Sequence, residues 1–250
     1  ATPLYVRACE LGDARGCYNV GLMYAAGRGV PVDVARAIAA YDEGCRNGST
    51  TACTNLGYAY EYGEGVPKDE KRAVELYDRG CQASSCQPAN RRACVNLGRA
   101  YRDGIGVVKD SAHAAKIFED ACHRDTDDDD VDADENQSRA CALLGALYIV
   151  GDGVKKDLDS GRQLSEMACE GNDAFGCFNA ARIYQTGLGI EADLGEAARF
   201  YDTACDSEDG ESCYELALLY DAGTGVDRNA TRAAELMQRA CKLGFEKSCK

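Results

Sequence analysis

The stretch Ala52-Cys53-Thr54-Asn55-Leu56-Gly57-Tyr58-Ala59-Tyr60, continued through Gly63-Glu64-Gly65-Val66-Pro67-Lys68 to Asp69, decides the fold. Cys53, Leu56, Gly57 and Tyr60 stand at i, i+3, i+4 and i+7, the spacing of one face of an α-helix. Gly63 offers the left-handed backbone that ends such a helix. Pro67 stands where no helix continues. Asp69 then offers its carboxylate to the free N–H groups of a second helix, as an N-cap. The stretch predicts a helix, a short turn and a second helix.

Working outward, the same phrase recurs along the whole chain. The 15 cysteines lie at 9, 17, 45, 53, 81, 86, 94, 122, 141, 169, 177, 205, 213, 241 and 249. With Cys86 set aside, gaps of 28 residues alternate with gaps of 8, except for 13 between Cys81 and Cys94 and 19 between Cys122 and Cys141. The unit is therefore 28 + 8 = 36 residues, with insertions of 5 (13 − 8) and 11 (19 − 8) in two connections. Ten and twelve residues after the first cysteine come Gly27 and Gly29, Gly63 and Gly65, Gly104 and Gly106, Gly151 and Gly153, Gly187 and Gly189, Gly223 and Gly225. Four residues after each second glycine stands a cap: Asp33, Asp69, Asp110, Asp157, Asp193 or Asn229. The second helix runs from that cap to the next cysteine, with Ala37, Tyr41 and Cys45 as one example of its apolar stripe.

Two amphipathic helices of about 13 residues cannot bury their faces alone, but stacked hairpins can. The expected fold is all-α, a right-handed α-solenoid (an αα superhelix). It is one array over residues 1–250: a short N-terminal helix at 1–12, then units at about 14–46, 50–82, 91–123, 138–170, 174–206 and 210–242. Thr2 and Pro3 read as the cap and first residue of that opening helix. Ser248-Cys249-Lys250 falls where a seventh first helix would begin, so the array is in phase at both ends.

This pattern, A-C-x-N-L-G-x-x-Y-x-x-G-x-G-V-x-x-D followed by A-x-x-x-Y-x-x-A-C, resembles the Sel1-like repeat of the tetratricopeptide-like superfamily. The paired cysteines resemble its Helicobacter cysteine-rich protein branch. The resemblance covers essentially the whole chain. It implies a scaffold or adaptor that binds a protein or an extended peptide.

Composition sets further bounds. There are 28 Lys+Arg against 42 Asp+Glu, a formal charge of -14, and hydrophobic residues make up 45%. A core is within reach and global disorder is not expected. Nucleic acid is excluded as a partner class, since phosphate binding needs a basic face. The longest apolar run, Ala140 to Val150, is about half of what a bilayer span requires, so no membrane insertion is expected. No signal peptide stands in the sequence, and one is expected to have been removed before Ala1. The oligomeric state is left open.

The cysteines admit two pairings. Partners 28 apart lie at opposite ends of one hairpin, and partners 8 apart join neighbouring hairpins; either fits the roughly 4–7 Å Cα separation of a disulfide. Parity separates them. The first scheme strands Cys9, Cys249 and Cys86; the second strands only Cys86. The expected bonds are Cys9–Cys17, Cys45–Cys53, Cys81–Cys94, Cys122–Cys141, Cys169–Cys177, Cys205–Cys213 and Cys241–Cys249. They place the chain in an oxidising, extracytoplasmic space, periplasmic or secreted. The competing readings are reduced buried thiols and zinc, for which this spacing is unsuited. Cys86, in an inserted loop, is a reactive free thiol, a partner for another chain or a rival of Cys94 for Cys81, and the plain reading is an incidental unpaired cysteine.

Residues 125–135 carry eight carboxylates in eleven positions. A solvated, self-repelling loop is the plain reading. Weak divalent-ion binding by Asp128, Asp130, Asp132 and Asp134 is the sharper one, although the glycine and final glutamate of an EF-hand are missing.

Catalytic motifs are scarce. Proteins of the resembled branch are often described as penicillin-binding or penicillin-hydrolysing, yet S-x-x-K, S-D-N and K-T-G do not occur. No P-loop occurs either, and the repeated G-x-G reads as a helix-ending turn. His113 and His123 form no triad or metal set and read as surface residues. No cofactor is expected. An enzymatic role, peptidoglycan- or β-lactam-directed, rests on the resemblance alone; a structural spacer is the third reading.

The stronger lead is the first helix of each unit, which in stacked hairpins usually lines the concave face. The position two after the first cysteine reads Asn19, Asn55, Asn96, Leu143, Asn179 and Glu215. Helix interiors disfavour Asn. Resemblance to the tetratricopeptide repeat, where this Asn grips peptide backbone, implies a ladder formed by Asn19, Asn55, Asn96 and Asn179. Arg92, Arg99, Arg102, Arg139 and Arg182 cluster nearby and suggest a place for a carboxylate. Tyr18, Tyr58, Phe178 and Tyr214 add contact area, whereas Tyr24, Tyr60, Tyr101 and Tyr148 read as core. The plain alternative is that the Asn side chains brace neighbouring repeats and the arginines pair with surface acids.

Overall fold

The computed structural model describes residues 2–82, 90–123 and 131–249, and for residues 2 and 131–134 only the backbone. Cys86, Asp128 and Asp130 lie outside the described residues, as do the side chains of Asp132 and Asp134. Thirteen α-helices and no strands occur among the described residues. They are α1 (Thr2–Glu10), α2 (Ala14–Ala26), α3 (Val34–Arg46), α4 (Thr50–Tyr62), α5 (Glu70–Cys81), α6 (Arg91–Asp103), α7 (Ser111–His123), α8 (Val131–Val150), α9 (Leu158–Glu170), α10 (Ala174–Thr186), α11 (Leu194–Asp206), α12 (Gly210–Ala222) and α13 (Ala230–Lys242). A short 3-10 turn, Glu246–Ser248, follows.

The turn between paired helices is built alike in all six units. Gly27, Gly63, Gly104, Gly151, Gly187 and Gly223 all hold φ between 66° and 78°, the left-handed region where a Cβ is costly. The side chains of Asp33, Asp69, Asp110, Asp157, Asp193 and Asn229 each accept from backbone N–H groups in the first turn of the following helix. Each cap residue also donates its own N–H to the carbonyl of the tyrosine nine residues earlier, from Tyr24 to Tyr220. These tyrosines are half-buried, not core. Tyr24, Tyr60, Tyr184 and Tyr220 pack against the core clusters from their edge.

The second glycine of each pair has a different task. A Cβ on Gly65 would collide with Val34, on Gly106 with the Glu70 carbonyl, and on Gly225 with Leu194. Each partner is the first helical residue of the preceding hairpin's second helix. The bare backbone lets consecutive units close up at that edge.

The first helices have caps of their own, four residues before the first cysteine: Asp13, Ser49, Asn90, Asp173 and Asp209. The fourth unit carries Gln137 at this position. Gln does not favour the N-cap role, and α8 runs on N-terminally to Val131. The Gln137 amide instead donates to the Cys122 carbonyl at 2.8 Å. Part of the acidic insertion is therefore helical where the sequence reads as loop.

The chain divides into two compact units, residues 1–117 and 118–250, and the division falls within α7. In the first unit α2 pairs with α3 and α4 with α5, while α2, α4 and α6 stand side by side. Ala37, Tyr41, Cys45, Ala52, Cys53, Leu56 and Leu76 form a core cluster there. In the second, α8 pairs with α9, α10 with α11 and α12 with α13, and α8 lies against α10. Phe200, Tyr201, Leu216 and Leu236 anchor its core.

Seven disulfides form, with the short-gap pairing. Their Cα separations run from 4.5 to 4.9 Å, inside the normal range. Each bond joins the end of one hairpin to the start of the next, and loop-closure entropy gives about 2–3 kcal/mol for loops this short. No helix is long and apolar enough to cross a membrane among the described residues.

Candidate functional site

Each repeat hairpin has a first helix, A, and a second helix, B. In an A helix, positions −2, +2, +5 and +9 from the cysteine fall on one face, opposite the stripe formed by the cysteine and positions +3, +4 and +7. In the first unit these are Arg15, Asn19, Leu22 and Ala26 on α2; Thr51, Asn55, Tyr58 and Tyr62 on α4; and Arg92, Asn96, Arg99 and Asp103 on α6. Asn19, Asn55, Asn96 and Asn179 are all half-buried, as are Tyr18 and Tyr58, while Arg92 and Arg182 are exposed and Arg99 and Arg139 half-buried.

The structure gives the Asn positions different surroundings. The Asn55 amide lies beside the hydroxyl of Tyr41, which projects from the B helix of the preceding repeat. Burial pushes the Tyr41 phenol above its ordinary pKa, and the nearby Asn55 amide partly offsets this. Tyr77, the counterpart of Tyr41 one repeat on, donates instead to Glu61 at 2.6 Å. Tyr201 donates to Gln185 at 2.8 Å. Burial is the main cause of the strong upward pKa shifts of both phenols. Before Asn179 the equivalent B-helix residue is Ser165, whose hydroxyl is turned back onto the Gly161 carbonyl at 2.7 Å. The Asn179 amide nitrogen is buried and has no partner among the described residues.

Room for the tyrosine rings comes from the glycine of the L-G pair. A Cβ on Gly57 would stand 2.8 Å from the ring of Tyr77.

Aromatic rings carry the guanidinium groups. Arg92 lies 6.0 Å from the Tyr58 ring centroid, Arg182 5.7 Å from Phe178, and Arg139 5.2 Å from Phe175. Arg139 also pairs with Asp173 at 3.4 Å, so this arginine is partly spent on a neighbouring repeat's cap. The Tyr58 and Tyr62 rings meet at a tilt of 40° with centroids 4.4 Å apart, and Tyr62 is 50% exposed. Arg102 is bound through two bonds to Asp103, whose carboxyl it holds below the usual range. Tyr214 packs on Phe245. His113 and His123 are exposed, and His113 sits edge-on to Tyr101 at 4.4 Å.

Sequence reasoning missed the polar contacts of the B-helix tyrosines and the A-helix caps. Both had a signal: a tyrosine four residues before the second cysteine in three units (Tyr41, Tyr77 and Tyr201), and Asp, Ser or Asn four before the first in five units. Among the described residues no group of three His, Cys, Asp or Glu side chains is placed to hold a metal.

Comparison with known proteins agrees with this architecture. A Sel1 repeat protein from Oxalobacter formigenes is 24% identical, superposes with a TM-score of 0.79, and the match covers 92% of this chain and 85% of that one. A Sel1 repeat protein from Klebsiella pneumoniae is 19% identical with a TM-score of 0.52, over 87% and 98% of the two chains. Helicobacter pylori cysteine-rich protein B is 28% identical with a TM-score of 0.44, over 56% of this chain and 93% of that one. No curated protein matches the chain. The Sel1 repeat matches six times, at residues 14–49, 50–85, 91–125, 138–173, 174–209 and 210–245. With six repeats spanning nearly its whole length, the chain belongs to the Sel1 repeat family, whose members generally act as protein-interaction scaffolds.

Proposed function

We propose that this protein is an extracytoplasmic scaffold that binds a protein or an extended peptide along the A-helix face. The observation that carries the reading is Asn179. A buried donor left without a partner costs about 1–3 kcal/mol, and an amide at this position can be completed by the carbonyl of a bound peptide, once the side chain turns outward. On the same helix as Asn179 stands the arginine–aromatic pair Arg182–Phe178, and the A helices of residues 1–117 carry the half-buried Asn19 and Asn96 and the pair Arg92–Tyr58; such pairs add flat contact area at low entropic cost. Seven disulfides point to an oxidising environment, and a periplasmic or secreted location fits them.

The test is selection of a displayed library of unstructured peptides on the immobilised protein, followed by affinity measurement on Asn96→Ala/Asn179→Ala. The selected peptides are expected to lose about tenfold or more in affinity, with the thermal transition unchanged. Affinity that survives the double substitution would remove the A-helix face from consideration.

A further inference from the structure

We infer that the A-helix face of residues 1–117, the first compact unit, docks an extended acidic segment of a partner protein, and that the A-helix face of residues 118–250, where Asn179 lies, has no such preference for acid. The inference rests on the scaffold reading above and adds the chemistry of the partner.

The overall charge of -14 conceals a division. Residues 1–117 hold 15 Lys+Arg against 13 Asp+Glu, a net of +2. Residues 118–250 hold 13 against 29, a net of −16, and the two nets sum to -14. The first unit is the one part of an acidic protein that does not repel an acidic partner. Its positive charge is also placed on the A face. Arg15, Arg92 and Arg99 occupy the −2 and +5 positions of α2 and α6, on the same stripes as Asn19 and Asn96. None of the three forms an ion pair with a described residue. The acids near this face are already engaged: Glu61 accepts from Tyr77, and Asp103 is held by Arg102. Arg99 stands one turn before Asp103 on the same stripe of α6.

The corresponding stripe of α12 in the second unit carries Glu211 and Glu215 where the first unit has arginine and asparagine. Glu215 also accepts from Gln185 at 3.3 Å. A carboxylate approaching Arg182 meets these two acids and Asp209, all of which act on the neighbouring Tyr201. Screening over about 8 Å at physiological salt makes such contact charges outweigh the distant net charge. The A face of the first unit therefore offers guanidinium groups for side-chain carboxylates and two free-standing amide positions for backbone, spaced by the repeat.

Three peptides of about ten residues, an extended length suited to such a face, test this by fluorescence anisotropy on the full chain at low salt. They share one glycine-rich backbone and carry Asp, Asn or Lys at alternate positions. The Asp peptide is expected to bind about tenfold tighter than the Asn peptide, with the Lys peptide weakest, and added salt should shrink the difference. Arg92→Glu/Arg99→Glu, and more mildly Arg92→Gln/Arg99→Gln, should abolish the preference, with Arg182→Glu leaving it intact. The inference is overturned if Asp and Asn peptides bind alike, or if the preference survives the paired reversal. Equal binding of Asp and Asn peptides leaves the scaffold reading standing, whereas no binding of any of the three counts against both.

Discussion

The Asn55 amide lies beside the Tyr41 hydroxyl, so that an amide on the A helix of one repeat faces a phenol on the B helix of the repeat before it. Tyr41 is 6% exposed, so the contact lies at the buried edge of the stack. A polar contact of this kind is worth about 1 kcal/mol. Asn55→Ala and Tyr41→Phe should each lower stability by about 1 kcal/mol, and the double variant by little more than one of them. Denaturant titration of the four proteins gives the coupling; simple additivity would show that the contact carries nothing.

Asn179→Ala should behave differently. Its amide nitrogen is buried without a partner, so truncation removes a penalty along with a side chain. The expected change in midpoint is zero or slightly upward. A loss comparable to that of Asn55→Ala would mean that Asn179 has a structural partner after all.

Gly106 and Gly63 both hold left-handed backbone, with φ of 70° and 75°. A Cβ on Gly63 finds ordinary contacts, the nearest at 3.4 Å, whereas one on Gly106 collides with the Glu70 carbonyl. Gly63→Ala should cost about 1–2 kcal/mol from backbone conformation alone. Gly106→Ala should cost about 3 kcal/mol or more, because two hairpins must separate. Equal losses in urea titration would deny the second glycine its role in stacking.

Fourteen of the 15 cysteines are in disulfides, which leaves Cys86. Alkylation of the unfolded, unreduced protein should add one label by mass spectrometry, and reduction beforehand should add fifteen. Replacing Cys45 and Cys53 together by Ser should lower stability by about 2–3 kcal/mol.

Tyr77 and Tyr201 are 1% and 0% exposed, and burial holds both phenols well above their ordinary pKa. Unfolded tyrosine ionises near pH 10. A raised pKa means that the stabilisation is complete below about pH 10 and falls as pH rises beyond it, by about 1.4 kcal/mol per pH unit for each phenol. Rapid-mixing denaturation across the alkaline range should show that limb, and Tyr77→Phe should make it shallower. An unaltered slope in the Phe variant would contradict the assignment.

The local architecture was legible because it is written in residues with a single physical use. Glycine at a left-handed turn, Asp or Asn at an N-cap and apolar side chains at helical spacing each act within a few residues of themselves, and six copies in phase make the pattern unmistakable. The disulfide pairing was legible by parity, since bonding requires partners and only the short-gap scheme supplies them for all but Cys86. The Asn positions were legible as a register and not as a set of equals. Whether an amide is tied down depends on what a neighbouring helix brings to it: a hydroxyl from Tyr41 at Asn55, and at Asn179 a Ser165 whose hydroxyl is turned back onto its own helix. The fate of the second glycine is likewise a matter of how close two hairpins come. Sequence by itself determined the helices, their ends and the sulfur partners, because those are decided within one repeat or its junction. Tertiary structure alone decided which polar side chains remain free, because hydrogen-bond satisfaction is a property of packed neighbours.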